Sequence, residues 1–216
     1  MKRPITSQIQ NEVLIADRRE RIVRAAITVF RSSGFHKATT KDIALKADMT
    51  QSNLYNYINS KQDVLFLVCE HLVKLYQTAV DESLAKSEDS HTRLVEALRA
   101  IISVMSAHRG EVQLLYNETH ALEKSDRKII LTSIAKLIKG FQTLIKSYEA
   151  DGGSCLIKNH RISANFLSFV PAMVALRSWD LTVHAGQEEI ESSILSFTLS
   201  GLGIPLKFSA PIELVQ

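Results

Sequence analysis

From Asp17 onward, apolar side chains recur every three or four residues along nearly the whole chain. Ile22, Ala25, Ala26, Val29 and Phe30 fall at i, i+3, i+4, i+7 and i+8, one stripe of a helix. Asp17 with Glu20 supplies a start and Ser32-Ser33-Gly34 a stop, with Gly34 free to take the left-handed cap. The spacing therefore predicts a helix over 17–33. Two short helices follow. The first, 41–47, is capped by Thr39 or Thr40 and turns Ile43 and Ala44 inward. The second, 51–58, is opened by Thr50 or Gln51 and turns Leu54 and Ile58 inward. Asp48 lies in the turn between them, where a residue tolerant of positive φ is needed. Ser60 and Asp63 then form a capping pair for a long helix carrying Val64, Leu65, Leu67, Val68, Leu72, Leu75, Tyr76 and Val80.

The periodicity breaks around Ser87-Glu88-Asp89-Ser90 and resumes over about 91–107, 109–117 and 125–150. Asp151-Gly152-Gly153 is the strongest breaker in the chain. Helices over 159–184 and 187–202 follow it, separated by His184-Ala185-Gly186. No strand-like alternation competes and no internal repeat is present, so the pattern predicts an all-α fold. The expected organisation is a flexible arm at 1–16, a three-helix head at 17–60, a larger helical body at 61–204 and a tail at 205–216 containing Pro211. The head's core is too small to stand without the long helix beside it.

Charge changes this picture. Residues 1–64 carry 11 Lys/Arg against 6 Asp/Glu, and the rest of the chain carries 15 against 17. A basic first third and a slightly acidic remainder suit a protein of which only one part meets a polyanion. Two short helices joined by a tight turn, the second bearing uncharged polar and aromatic groups, are how a protein presents a helix to a DNA groove.

The match is more specific than that. Ala25-Ala26, Phe30, Gly34-Phe35, Thr39-Thr40-Lys41-Asp42-Ile43-Ala44, Leu54-Tyr55-Asn56-Tyr57-Ile58, and Ser60-Lys61 with Asp63-Val64-Leu65 stand at fixed spacing without gaps. This segment resembles the DNA-binding domain of the TetR family of bacterial transcriptional regulators. Asp48 stands where the family usually has Gly, and Ile58 where it usually has Phe or Val. The resemblance implies an N-terminal helix-turn-helix domain followed by a helical domain for effector binding and dimerisation. It also implies a double-stranded DNA operator as partner.

Within the head, Thr40 and Lys61 are expected to bind phosphates, and Tyr55 resembles the family tyrosine whose hydroxyl reaches the DNA backbone. Gln51, Ser52, Asn53 and Tyr57 are the groups best placed for base edges; a Gln amide pairs with adenine N6 and N7. Lys41 serves either backbone or base, and Lys46 reads as a solvated charge. One recognition helix covers too few base pairs for useful specificity, so a dimer is expected. Ile190, Ile194, Phe197 and Gly201 form its seam. Phe166, Phe169, Val170, Met173, Val174 and Leu176 make the preceding helix apolar on more than one face. The resemblance implies that these two helices pair with their copies in a homodimer.

The resemblance implies an effector pocket between helices 61–84, 91–117, 125–150 and 159–180, where apolar residues that suit a cavity or an ordinary core include Met105, Tyr116, Phe141, Phe166 and Val170. Glu118 and His120 follow Tyr116, and Arg177 stands beside Trp179 in an otherwise apolar helix, where a buried guanidinium needs an anionic partner. The stretches Leu115–Leu122 and Leu176–Trp179 resemble TetR members that answer to fatty acyl-CoA or related thioesters. A small hydrophobic or anionic effector is therefore expected, with repression the family default.

Other classes find little in the sequence. No Gly-rich phosphate loop, nucleophile elbow or His-Glu-x-x-His motif occurs, so neither an enzyme nor a bound cofactor is expected. Glu88 and His91 have the spacing of a carboxylate-bridged metal site but lack a second copy. Cys69 and Cys155 lie far apart in sequence and without metal-ligand spacing, so neither a zinc site nor a disulfide framework follows, and a reducing cytoplasm is expected. A thiol sensor at Cys155, beside Lys158, His160 and Arg161, stays open as an alternative. So does a dimeric DNA-binding scaffold without an effector. Gln8, Gln10, Asn11 and Glu12 rule out an apolar signal core, and no apolar run reaches bilayer length, so a soluble cytoplasmic protein is expected.

Overall fold

Helix ends among the described residues are set by side-chain caps and by four backbone positions with positive φ, Gly34, Asp48, Gly152 and Gly203. The computed structural model describes residues 12–84 and 89–206, with helices α1 (Glu12–Lys37), α2 (Thr40–Lys46), α3 (Gln51–Leu54), α4 (Lys61–Leu84), α5 (Ser90–Ala107) and α6 (Arg109–Glu118). They continue as α7 (Lys124–Ala150), α8 (His160–Phe169), α9 (Met173–Leu176), α10 (Ser178–His184) and α11 (Gln187–Gly201). Single 3-10 turns lie at Thr119–Ala121 and Val170–Ala172. Among the described residues there is no strand, and the fold is all-α.

The first helix begins earlier than expected. Glu12 to Ala16, assigned to a flexible arm, are the opening turn of α1, with Glu12 complementing the N-terminal end of the helix dipole. Residues 1–11 of that arm, Ser87 and Glu88 of the expected loop, and residues 207–216 of the tail, with Pro211, lie outside the described residues. At the other end Gly34 has φ 76 and ψ 156, a conformation open to glycine and strained for other residues, and it turns the chain so that Phe35 packs back. Phe35 meets Phe30 edge to face at 5.3 Å.

Asp48 has φ 55. It completes a Schellman closure of α2, in which the Met49 N–H donates to the Ala44 carbonyl at 2.9 Å and the Asp48 N–H to the Leu45 carbonyl at 3.2 Å. The Ser60 and Asp63 caps also form: the Ser60 hydroxyl accepts from the Asp63 N–H at 3.1 Å, and the Asp63 carboxylate accepts from the Asn59 N–H at 2.8 Å.

The expected single helix over 159–184 is broken. Pro171 lacks the N–H for an interior helical bond, and the chain passes through the Val170–Ala172 turn into two short helices. His160–Leu176 and Ser178–His184 meet at a bend of 73°. No single described helix is long and apolar enough to cross a membrane.

The chain forms two compact units. The first comprises Met1–Thr78 and Ala107–Lys136. Its fully buried side chains include Ile22, Ala26, Ile43, Leu54, Ile58, Leu65 and Leu72, with α1 packed on α2 and α6, and α2 on α3. The second comprises Ala79–Ser106 and Leu137–Gln216. Its buried residues include Leu94, Leu98, Ile101, Phe141, Ile145, Leu167 and Val174, and α11 packs on the Val170–Ala172 turn and α9.

Candidate nucleic-acid interface

The exposed chemistry of the first unit gathers where α2 and α3 begin. Thr39, not Thr40, caps α2. Its hydroxyl accepts from the Asp42 N–H at 3.2 Å and donates to the Asp42 carboxylate at 2.7 Å, while the Thr39 N–H donates to that carboxylate at 3.0 Å. These bonds hold the Asp42 carboxyl below the usual carboxylate range. Thr40 is thereby released from capping. Its hydroxyl accepts from the Gln51 side-chain amide at 3.0 Å and shares a hydrogen bond of 3.0 Å with the Tyr55 hydroxyl. Three of the residues expected on DNA thus form one connected group on an exposed surface. Lys41 and Ser52 are exposed beside it, and Asn53 is half-buried with its N–H held by the Thr50 cap at 3.1 Å.

Tyr57 departs from expectation. It is 3 % exposed and belongs to the core, not to a base-reading surface. The physical reason is that α3 has a single α-turn. The chain then tightens, with Asn56 N–H bonded to the Asn53 carbonyl and Tyr57 N–H to the Leu54 carbonyl. At three residues per turn, side chains at i and i+3 eclipse, so Tyr57 follows Leu54 inward.

Lys61 is also reassigned. Its ammonium donates to the carbonyls of Phe35 at 2.9 Å, His36 at 3.0 Å and Ala38 at 3.0 Å, and lies 4.7 Å from the Phe35 ring centroid. An ammonium has three N–H donors, and all three are spent. Lys61 closes the C-terminal end of α1 and leaves no donor for a phosphate.

Two arginines that the sequence did not single out anchor this surface from α1. Arg21 donates to the Ala47 carbonyl at 2.7 Å beside the Asp48 turn, and Arg19 donates to the Tyr57 carbonyl at 3.3 Å. Burial holds the Arg19 guanidinium below its ordinary value, opposed by the nearby Glu70 and Asp63 carboxylates. The only sequence signal was the run of arginines at 18, 19, 21 and 24; the partners of Arg19 and Arg21 lie 38 and 26 residues away in sequence.

The expected effector residues do not form one group. Met105 and Phe141 are buried in the core of the second unit. Tyr116 and His120 are exposed in the first unit, and Glu118 pairs with His36 at 3.2 Å, linking α6 to the end of α1. Arg177 is exposed at the bend between α9 and α10, so the buried guanidinium inferred from its apolar neighbours does not exist. Val170 is half-buried, and Phe166 faces outward. A groove of about 830 Å³ lies elsewhere, in the first unit, along α1, α4 and the start of α7. Val23, Leu67, Val73, Leu75, Ile129 and Ile130 are among its apolar lining, with Arg19, Glu20, Glu70, His71, Lys74 and Lys136 also around it.

In the second unit Phe166, Phe169 and Met173 are 44 %, 56 % and 45 % exposed, at i, i+3 and i+7. Phe197 on α11 is 73 % exposed, and Gly201 is exposed one turn further. Ile190 and Ile194, assigned to the same seam, are instead buried, because the start of α11 is covered by its own unit. Cys155 is fully buried with its sulfur 3.6 Å from the Ser163 hydroxyl, which removes the exposure that thiol sensing requires. Cys69 is buried as well, and desolvation pushes its thiol up to about 12. His91, once paired with Glu88 as a metal possibility, bonds the Pro205 carbonyl at 2.6 Å, and no group of metal-ligating side chains occurs among the described residues.

Comparison with known proteins agrees with this arrangement. Residues 22–68 match the family of bacterial regulatory proteins, tetR family. The HTH-type transcriptional regulator HbdR of Aromatoleum sp. (strain CIB) is 24 % identical over 175 residues, covering 81 % of this chain and 76 % of that protein. A TetR-family regulatory protein from Rhodococcus RHA1 superposes with a TM-score of 0.78 at 19 % identity, covering 88 % of this chain and 98 % of the other. AibR, solved in complex with isovaleryl coenzyme A and operator DNA, superposes with a TM-score of 0.70 at 18 % identity, covering 83 % and 97 %. Residues 22–68 form a TetR-family DNA-binding domain, and the chain shares the fold of TetR-family regulatory proteins.

Proposed function

We propose that this TetR-family regulator binds a palindromic operator as a homodimer, represses from it, and releases it when a small hydrophobic anion binds. The observation that carries the DNA part is the exposed Thr40–Gln51–Tyr55 group, flanked by Lys41 and Ser52 on the basic third of the chain. Hydroxyls and Lys41 suit phosphates, and the Gln51 amide suits a base edge. The outward apolar stripe of Phe166, Phe169 and Met173, with Phe197, supports dimerisation, since an exposed aromatic stripe marks a surface that another copy covers.

For the effector, the groove along α1, α4 and α7 supports a ligand with an apolar body and an anionic head. Its volume of about 830 Å³ lies within the range of small-molecule sites, and Arg19, Lys74 and Lys136 offer cations beside the apolar lining. Arg19 also holds the carbonyl of Tyr57, so a ligand that takes over this guanidinium acts on the recognition segment. A fatty acyl-CoA meets these requirements, and the fold is shared with AibR, which was solved with a short acyl-CoA.

The test has two parts. The purified protein is mixed with DNA from upstream of its own gene, and complex formation is followed by fluorescence anisotropy. Acyl-CoAs of increasing chain length are then screened for a rise in melting temperature and for release of that DNA. Binding without release by any acyl-CoA favours the scaffold reading, and absence of specific binding overturns the proposal. Leu67→Trp, which fills the groove, should abolish release while leaving DNA affinity within about threefold, because affinity differences between states, not binding alone, move such an equilibrium.

A further inference from the structure

The Thr40–Gln51–Tyr55 group has a hydrogen-bond count that restricts what each member can do. Thr40 and Tyr55 together hold two hydroxyl protons, and one of them is used in the bond between them. Gln51 donates one of its two amide hydrogens to the Thr40 oxygen. If Tyr55 donates to Thr40, both Thr40 lone pairs are occupied and the Thr40 proton points away from the group. If Thr40 donates to Tyr55, the Tyr55 proton points away. In either case one hydroxyl proton remains for an outside acceptor, and Gln51 keeps one amide hydrogen and its carbonyl oxygen.

We propose that this relay couples the phosphate contact to base reading: Thr40 is a positioning residue that holds the Gln51 amide for a base, and Tyr55 passes the phosphate contact to it. The inference rests on the DNA-binding function proposed above. The free amide hydrogen and carbonyl oxygen of Gln51 are a donor and an acceptor side by side, the pattern that meets adenine N7 and N6. A phosphate oxygen that accepts the outward proton polarises the donor chain behind it and strengthens the bond that orients Gln51. Without Thr40, Gln51 is an exposed side chain with several rotatable bonds, and fixing it on a base costs conformational entropy. The same hydroxyls that fasten the protein to the DNA backbone therefore also set its sequence preference, a combination that a purely electrostatic clamp lacks.

The experiment starts from selection of an operator from random double-stranded DNA by the full-length wild-type protein. Affinities are then measured for that operator and for every single base-pair change in one half-site. Gln51→Ala should lose roughly tenfold discrimination at one base pair per half-site, the size of a lost bidentate contact. Thr40→Val keeps the shape of the side chain and removes the hydroxyl. It should lose most of the discrimination at that same base pair, and Thr40→Ser should restore it. Tyr55→Phe should weaken binding to all sequences severalfold and partly relax the same position. The coupling is overturned if Thr40→Val lowers affinity uniformly and keeps wild-type discrimination at the Gln51 position. It is overturned as well if Gln51→Ala leaves every position unchanged. Failure of the wild-type protein to enrich any sequence would instead overturn the DNA-binding function itself, and the coupling with it. Melting temperatures of Thr40→Val and Thr40→Ser separate lost positioning from lost folding, and Tyr55→Phe carries the test should Thr40→Val unfold.

Discussion

The α2–α3 surface and the outward face of α8, α9 and α11 are both exposed, yet they are built from opposite chemistry. On the first, Thr40, Gln51 and Tyr55 spend part of their hydrogen-bonding capacity on each other and offer the rest to an outside partner. On the second, Phe166, Phe169, Met173 and Phe197 offer only apolar area. Burying such area is favourable at roughly 25 cal/mol per Å² and depends little on salt. Contacts to phosphate depend strongly on salt through counterion release. The contrast matches the two proposed tasks, since salt-sensitive contacts suit a partner that is released and apolar burial suits a partner that stays.

Of the two surfaces, the apolar face is the more sensitive to a single charge. In the proposed homodimer, Phe169→Glu or Phe197→Glu would place a carboxylate between the copies, at a penalty of several kcal/mol. Sedimentation should show a monomer and operator affinity should collapse, whereas an unchanged dimer would put the interface elsewhere. A smaller effect is expected at Lys61. Lys61→Ala removes three hydrogen bonds from the end of α1 and should lower folding stability by about 2 kcal/mol in denaturant titration. It should leave the salt slope of DNA binding unchanged, while Lys41→Ala lowers that slope by roughly one unit. A change of slope with Lys61→Ala would return it to the DNA surface.

Asp48→Gly should be milder and opposite in sign. Glycine adopts the positive φ without strain, so a gain of up to about 1 kcal/mol is expected in the same titration. The nearby Arg21 stands 3.6 Å from a fully exposed Asp48 carboxylate, a pair that contributes little. Smallest is a pH effect at His71. Burial, with His108 next in importance, holds His71 below the ordinary imidazole value, while Glu111 and Glu20 oppose and Lys74 reinforces the shift. The unfolded chain then takes up the proton first as pH falls. Stability should decline below about pH 6.5 and level off beneath the folded value. His71→Gln should flatten that part of the melting-temperature profile; an unchanged profile would assign the slope to another group.

The local chemistry of the head was legible because it depends on near neighbours. Gly34, Asp48, Ser60 and Asp63 take the backbone and capping roles their residue types suggest. Tyr57 was misplaced because a 3.6-residue period was carried through a segment that tightens after one turn. Lys61 was misplaced because its acceptors are the carbonyls of Phe35, His36 and Ala38, more than 20 residues earlier in the chain. Arg177 shows a third kind of error. Apolar neighbours in sequence suggested burial, but Pro171 and the bend turn the guanidinium out to solvent.

The sequence by itself determined the all-α class, the helices of the head and their likeness to a TetR-family DNA-binding domain. Each follows from short-range periodicity, caps and residue spacing, which act within a few turns of the chain. Only the tertiary structure decided which polar groups are free. Whether a hydroxyl, an ammonium or a guanidinium has spent its donors depends on atoms brought near by folding. It freed Thr40 from capping and tied it to Gln51 and Tyr55, committed Lys61 to the end of α1, and drew residues 107–136 into the unit that holds the DNA-binding helices.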